Sequence, residues 1–503
     1  MARLWQLPLV LLLAAVFCVS MVVPAAVALA AEEHATARAF FYAGLLGTLF
    51  VALVAVARGG RPPERDSVRQ LLALLVVFLA LPAGLAVPFH EAVRTTSFLN
   101  AYVEMVSCLT TTGATLFEPE RLSPALHLWR AQVAWLGGLL IWTAAAAILA
   151  PLSLGGFEVT ASGEPGRADA RQPASAIATP QMRLARAAGR LAPVYAVLTL
   201  VLWLLLMAFG EAPMAAAIHA MSTISTSGIS AGEGVVGARA GLLPEIAVFA
   251  FLFLALSRLT FSSDTLATVR TGLRQDPEFR LGLVIVVAVP LVLFLRHWAG
   301  AYEVGQDDSL AEAARALWGA SFTVASFLTT TGFVSADWQA AQLWSGLGTP
   351  GLVLMGLAIL GGGVATTAGG VKLLRIYALY LHGLREMEKL VHPSSVGRAG
   401  GFSRRLRRQG AFIAFVFFML FALSLMVASL VFAAFGSGFE EAMVLAVAGL
   451  TTTGPLVVWA TEAPVALAEL AGGARLAFAG TMVLGRFELL AIVALLSPAL
   501  WRR

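Results

Sequence analysis

Long apolar runs alternate with short polar joints along this chain, and the run lengths set the first expectation. A helix needs about 20 apolar residues to cross a hydrocarbon layer of roughly 30 Å. Runs of that kind fall near 5–30, 38–57, 69–88, 128–153, 190–210, 243–269, 280–296, 342–382, 410–435 and 475–500. The pattern predicts about ten crossings in an all-α polytopic membrane protein. Between the runs stand shorter apolar stretches, such as Phe98–Leu109, Ala212–Thr223 and Ala320–Leu328, that are too short to cross. Each leads into a small polar pentapeptide. Leu-Thr-Thr-Thr-Gly occupies 109–113, 328–332 and 450–454, and a weaker copy, Ile-Ser-Thr-Ser-Gly, occupies 224–228.

The four glycines of these pentapeptides are 115, 104 and 122 residues apart, so one unit of span, short helix, polar loop and span recurs four times. The repeat divides the chain into two N-terminal helices (1–66) and four repeats at 67–160, 161–272, 273–400 and 401–503. Irregular backbone at membrane depth is tolerated only where protein or a water-filled cavity surrounds it. Four re-entrant loops are therefore expected to converge on a pseudo-fourfold pore. Their polar residues are Thr110, Thr111, Thr112 and Gly113; Ser225, Thr226, Ser227 and Gly228; Thr329, Thr330, Thr331 and Gly332; and Thr451, Thr452, Thr453 and Gly454. Ser and Thr in succession hold the chain out of a helix, and the glycine permits positive φ. Carbonyls turned to the axis can then replace the water shell of a monovalent cation such as potassium. One Thr-rich turn alone reads as a helix cap, whereas four in register read as one device. Pro455 restricts the glycine before it, so the fourth loop is expected to sit differently.

Composition agrees with the pattern. With 59% hydrophobic and 13% charged residues and a mean hydropathy of +0.83, the chain is excluded from the soluble globular class, where about a quarter of residues are charged. Arg and Lys gather at 58–69, 155–190, 270–280 and 372–408, the last including Lys372 and Arg375, while acids gather on the other joints. The basic joints are expected on the cytoplasmic side, contacting anionic membrane lipid rather than nucleic acid. Arg3, the first apolar run and Ala28-Leu29-Ala30 also resemble a signal peptide, although the run is longer than the usual apolar region of one. Cys18 and Cys108 both lie in apolar stretches, so neither a disulfide nor a metal site is expected. Paired carboxylates and nucleophile constellations are missing from the sequence, which argues against an enzyme.

Three acids, Glu118, Glu233 and Asp337, each lie five residues beyond their glycine, with Trp459 at that rank in the fourth repeat. They read either as an acidic ring at the outer mouth that concentrates cations or as ordinary solvated loop charges. Glu104 and His219 each lie nine residues before their glycine. They read as supports of the loop or, in a secondary cation transporter built from repeats and coupled to protons or sodium, as proton carriers. Arg258 and Asp264 fall along the second repeat's exit span, where fewer charges are expected.

Several longer motifs occur in order: Glu-Met-Val-Ser-Cys-Leu-Thr-Thr-Thr-Gly-Ala-Thr at 104–115, His-Ala-Met-Ser-Thr-Ile-Ser-Thr-Ser-Gly at 219–228, Phe-Leu-Thr-Thr-Thr-Gly-Phe at 327–333, the glycine-rich run at 360–376, Leu-Val-His-Pro-Ser-Ser-Val at 390–396 and Gly-Arg-Phe-Glu-Leu-Leu at 485–490. By these motifs, over essentially its whole length, the chain resembles the Trk/Ktr/HKT superfamily of potassium uptake systems, most closely the TrkH type. The resemblance implies potassium as the transported ion, no organic cofactor, a homodimer and a cytoplasmic nucleotide-binding regulatory subunit of TrkA type. It also implies that glycine in all four loops goes with potassium rather than sodium. The stretch with Gly361, Gly362, Gly363, Thr366, Thr367, Gly369 and Gly370 corresponds to the family's intramembrane gating loop, and Arg486 to a basic residue facing the permeation path. Five glycines without a large side chain suit a span that unwinds or helices packed closely through small residues. At about 10 Å and an effective dielectric of about 20, Arg486 repels a passing cation by roughly 1.7 kcal/mol; snorkelling to the inner surface is its other reading. The chain carries no Gly-x-Gly-x-x-Gly nucleotide motif, which leaves regulation to a separate protein. The basic segment 383–408 suits docking of that subunit or anionic lipid.

Overall fold

Within hydrocarbon a helix satisfies its own backbone groups and needs no partner, and this chain is built accordingly. The computed structural model describes residues 9–58, 67–150, 180–232, 241–257, 276–300, 310–392 and 408–487, and no strand occurs among them. Seven helices there are long and apolar enough to cross a membrane: Leu9–Ala30, His34–Ala57, Gln70–Val93, Pro124–Leu149, Met182–Ala208, Pro277–Arg296 and Gly410–Ala434. The first is packed into the fold, with Gln132 Nε2 donating to Ser20 O at 2.8 Å.

One of the ten expected crossings differs, and two are described only in part. The run expected at 342–382 is interrupted: a short helix Trp338–Ser345 meets Pro350–Leu360 at a bend of 115°, and a non-helical stretch then separates the latter from Leu373–Val391. Gly346 (φ +56°) makes the turn at the bend, and Pro350 opens the helix that follows. The runs expected at 243–269 and 475–500 are seen as Leu242–Leu256 and Gly472–Phe487, their remainders lying outside the described residues. Arg258 and Asp264 also lie outside.

After the N-terminal pair, helix, short helix and helix follow one another four times. The short members are Phe98–Leu109, Pro213–Ser225, Leu310–Leu328 and Phe439–Thr451. The third begins ten residues earlier than the apolar stretch alone indicates, because Glu312 and Arg315 interrupt the apolar run in its first turns. Burial is inverted relative to a soluble protein. His34–Ala57 exposes Leu46 and Phe50, whereas the last turns of the short helices are buried almost completely. Pro124–Leu149 is 78% buried, against 17% for His34–Ala57, so the former stands inside the assembly and the latter faces lipid.

Candidate permeation site

Each polar loop grows from the C-terminal end of a short helix, and that origin fixes its electrostatics. A helix ends in about half a negative charge, so four such ends around one centre favour a cation between them. The loop amides turn back toward their own helices. Thr111 N and Thr112 N donate to Cys108 O and Ser107 O at 2.9 and 2.8 Å, and the same pair recurs at Thr226 and Ser227 (3.2 and 2.9 Å), Thr330 and Thr331 (3.1 and 2.9 Å) and Thr452 and Thr453 (3.2 and 2.9 Å). With the donors held on the protein side, carbonyls are the groups left for the centre.

The side chains repeat as closely. First and third hydroxyls pair in every loop: Thr110 with Thr112 (2.8 Å), Ser225 with Ser227 (3.1 Å), Thr329 with Thr331 (3.0 Å) and Thr451 with Thr453 (3.1 Å). The middle residues Thr111, Thr226, Thr330 and Thr452 all have left-handed backbone, with φ of +54°, +51°, +56° and +53°. A β-branched residue there is a rare outlier that costs about 1–3 kcal/mol. The middle hydroxyls of Thr111, Thr226 and Thr452 are buried without a hydrogen-bond partner among the described residues. Buried oxygens left so suit an ion as their ligand.

The loops form a closed ring. A methyl group built on Gly113 would overlap Ser227 O, one on Gly228 would overlap Thr331 O, one on Gly332 would meet the Pro455 ring, and one on Gly454 would overlap the amide of Ala114. Loop one leans on two, two on three, three on four and four on one. All four glycines line an outer cavity of about 660 Å³, walled by Phe117, Phe333, Trp338 and Trp459.

Supports stand behind the ring at a common rank. Glu104 accepts from Arg130 Nε at 2.6 Å and from Leu116 N at 2.9 Å. His219 bonds Glu211 at 3.1 Å and Ser230 Oγ at 3.1 Å, and Thr323 Oγ1 accepts from Ser335 N at 3.3 Å. Each lies nine residues before its glycine and holds the chain two or three residues after it. Glu245 adds a second brace to the third loop, accepting from Ser335 Oγ, Ala336 N and Trp318 Nε1 at 2.7 to 2.8 Å. Glu104 and His219 are thus engaged in loop support.

The two outer acids among the described residues stand clear of the cavity. Glu118 is exposed, Asp337 pairs with Arg315 at 3.0 Å, and neither lines the cavity; Glu233 lies outside the described residues. The charged side chain that does line it is Arg130, neutralised by Glu104.

On the other side of the ring lies the glycine-rich stretch. Its neck is closed by Val371 N to Ile359 O (2.9 Å) and Lys372 N to Leu360 O (3.0 Å), with Gly361 and Gly370 in left-handed backbone at φ +72° and +76°. Its tip touches three of the four loops. Gly369 N donates to Thr330 Oγ1 at 2.7 Å, Thr367 Oγ1 to Ile224 O at 3.4 Å, and Gly369 sits so close to Thr451 and Thr452 that a side chain would collide there. Arg486, buried, donates from Nη1 to Thr367 O at 2.5 Å. Val364 N donates to Glu278 Oε1 at 3.1 Å and Gly363 N to Ala255 O at 2.9 Å, while Thr366 Oγ1 bonds Gly363 O within the stretch. Gly362 packs against Ala368 and Ala255. Lys372 and Arg375, expected among the solvated basic joints, are instead buried: Lys372 Nζ donates to Ala368 O, and Arg375 stacks on Phe417 with its guanidinium carbon 3.6 Å from the ring centre.

Sequence reasoning missed Arg130, Glu211, Glu245 and Glu278. Their signal was charge inside or at the edge of an apolar run, and all but Glu211, eight residues from His219, have partners far away in sequence.

The profile of the family described as TrkH, cation transport protein, matches residues 78–502. The Trk system potassium uptake proteins TrkH of Vibrio parahaemolyticus and of Salmonella typhimurium are each 30% identical to this chain, with 98% of both chains covered. The crystal structure of the potassium transporter TrkH from Vibrio parahaemolyticus superposes with a TM-score of 0.77 at 26% identity, covering all of both chains.

Proposed function

The chain belongs to the TrkH family of cation transport proteins, and from that premise we propose that it takes up potassium across the bacterial inner membrane through a selectivity filter made of the four Thr/Ser-Gly loops. The observation that carries this reading is the register: four middle threonines in left-handed backbone, four hydroxyl pairs and four sets of amides turned back to their own helices, arranged in one ring. Such a ring offers carbonyl and hydroxyl oxygens to a cation, while the amides of its second and third Thr and Ser residues stay bonded to their own helices. Potassium is the cargo named for the relatives.

The glycine-rich stretch is the inner gate in this reading. It meets the filter from below through Gly369 and Thr367 and is held by Arg486, Glu278 and the backbone of Ala255. In this reading the conformation is closed, because the loop lies against three of the four filter quarters, bonded to two of them and packed on the third. A homodimer and a separate cytoplasmic nucleotide-binding subunit of TrkA type complete the proposal, supported by the Trk system names of the relatives. Ion coupling through Glu104 and His219 is disfavoured, since both are engaged in loop support.

Cation flux into proteoliposomes tests the filter, comparing potassium, rubidium, sodium and lithium for the parent and Gly113→Ser. Any side chain at 113 enters left-handed backbone and strikes the carbonyl of Ser227. The parent is expected to prefer potassium and the variant to lose that preference. Flux indifferent to the substitution overturns the reading.

A further inference from the structure

Three of the four filter glycines have left-handed backbone, with φ of +77°, +64° and +83° at Gly113, Gly228 and Gly332; Gly454 does not. The proline that follows it restricts its conformation, and the fourth loop turns off the common path. Gly454 N donates to Thr112 O of the first loop at 2.7 Å. Thr453 O and Gly454 O accept from Leu456 N and Val457 N at 3.2 and 3.0 Å, in the turn that opens the short helix Leu456–Trp459. Three carbonyls at the outer level of the filter are therefore engaged by protein amides.

The Pro455 ring lies at that same level. Its Cγ is 2.7 Å from the place a Cβ would take on Gly332 and 2.9 Å from the place one would take on Gly228. In the cyclic order of the loops, the second stands opposite the fourth, so a ring on the fourth that packs on Gly228 reaches over the axis. Pro455 also lines the outer cavity, at the floor it shares with the four filter glycines. An apolar ring there offers a dehydrating cation no replacement ligand, and unpaired desolvation of an ion is prohibitive.

Building on the filter reading above, we propose that Pro455 is a second closure of the permeation path, on the outer side and in series with the glycine-rich loop on the inner side. Passage of an ion requires the turn Thr453–Trp459 to carry the ring off Gly228, which also frees Thr112 O, Thr453 O and Gly454 O for the ion. Two closures in series make a specific kinetic statement: relieving either one leaves the other limiting.

The test is basal potassium flux in proteoliposomes for the parent, Pro455→Ala, Gly369→Ala and the double variant, each first shown to elute as the parent does. Gly369→Ala loosens the inner loop by colliding with Thr451 and Thr452. Each single variant is expected to raise flux less than about twofold, and the double variant at least tenfold. A double variant that conducts no more than Gly369→Ala alone overturns the closure by Pro455. Should Pro455→Ala fail to elute as the parent, Pro455→Ser removes the ring and is judged by the same comparison. Gly113→Ser, run alongside, separates the failures: loss of potassium preference there keeps the filter reading standing whatever Pro455 does.

Discussion

Threonine is poorly suited to left-handed backbone, yet Thr111, Thr226, Thr330 and Thr452 all adopt it. Strain repeated in register is retained for what it positions, and the buried hydroxyls that find no protein partner are what it positions here. Thr452→Val separates function from stability at this point. The hydroxyl bonds nothing among the described residues, so thermal unfolding in detergent is expected to change by less than about 1 kcal/mol, while the potassium concentration for half-maximal flux rises several-fold. Glu104→Ala behaves oppositely. It leaves Arg130 buried without its carboxylate and Leu116 N without its acceptor, and removing one partner of a buried ion pair costs about 3–5 kcal/mol, measurable as a large fall in melting temperature. The two residues also differ in legibility. The threonines announce themselves through a repeated pentapeptide. Arg130 is one charge in an apolar run, with its partner 26 residues earlier, and no periodicity marks such a pair.

Among elements, the glycine-rich loop shows how a span can be broken without being loose. Its neck is tied by backbone bonds, its tip by Thr330 and Arg486, and its flank by Glu278. Two non-glycine residues, Ala365 and Lys372, sit at φ +57° and +83°, which stores strain of about 1–3 kcal/mol each and lowers the cost of leaving this conformation. Glu278→Leu removes the acceptor of Val364 N, and exchange of that amide with deuterium is expected to speed by about tenfold, the equivalent of roughly 1.4 kcal/mol. Protection unchanged at Val364 rules out this clamp. That the run at 342–382 would unwind was readable from five glycines and the resemblance. Its anchors were not, because Ala255 lies in the second repeat and Glu278 at the start of the third, and both reach the loop only in the folded chain.

For the molecule as a whole, the repeat was legible because the same local problem, a chain re-entering the membrane, is solved four times with the same residue types. Span ends were less so: hydropathy sees apolar length but not the Pro350 start that separates a rim helix from a crossing one. The outer acids mark the limit of arguing by rank. Equal spacing from the glycines left two readings, an acidic ring or ordinary solvated charges; of the two acids described, Asp337 turns to Arg315 and Glu118 to solvent. Neutralising both, as Glu118→Gln with Asp337→Asn, is therefore expected to leave the salt dependence of single-channel conductance nearly unchanged, since exposed ion pairs are worth about 0–1 kcal/mol.

Each of the four filter glycines faces the chain of the next loop and not of the previous one, Gly228 facing the opposite Pro455 ring as well. The ring thus has a rotational sense, like the teeth of a ratchet, and damage to it should propagate in one direction. Gly332→Ala drives a methyl into Pro455, so removing the proline ring should rescue that variant by about 0.5–3 kcal/mol in a double-mutant cycle. Gly113→Ala collides with Ser227 instead and should gain nothing from the same second change. A filter symmetrical in composition would then be chiral in its mechanical weaknesses.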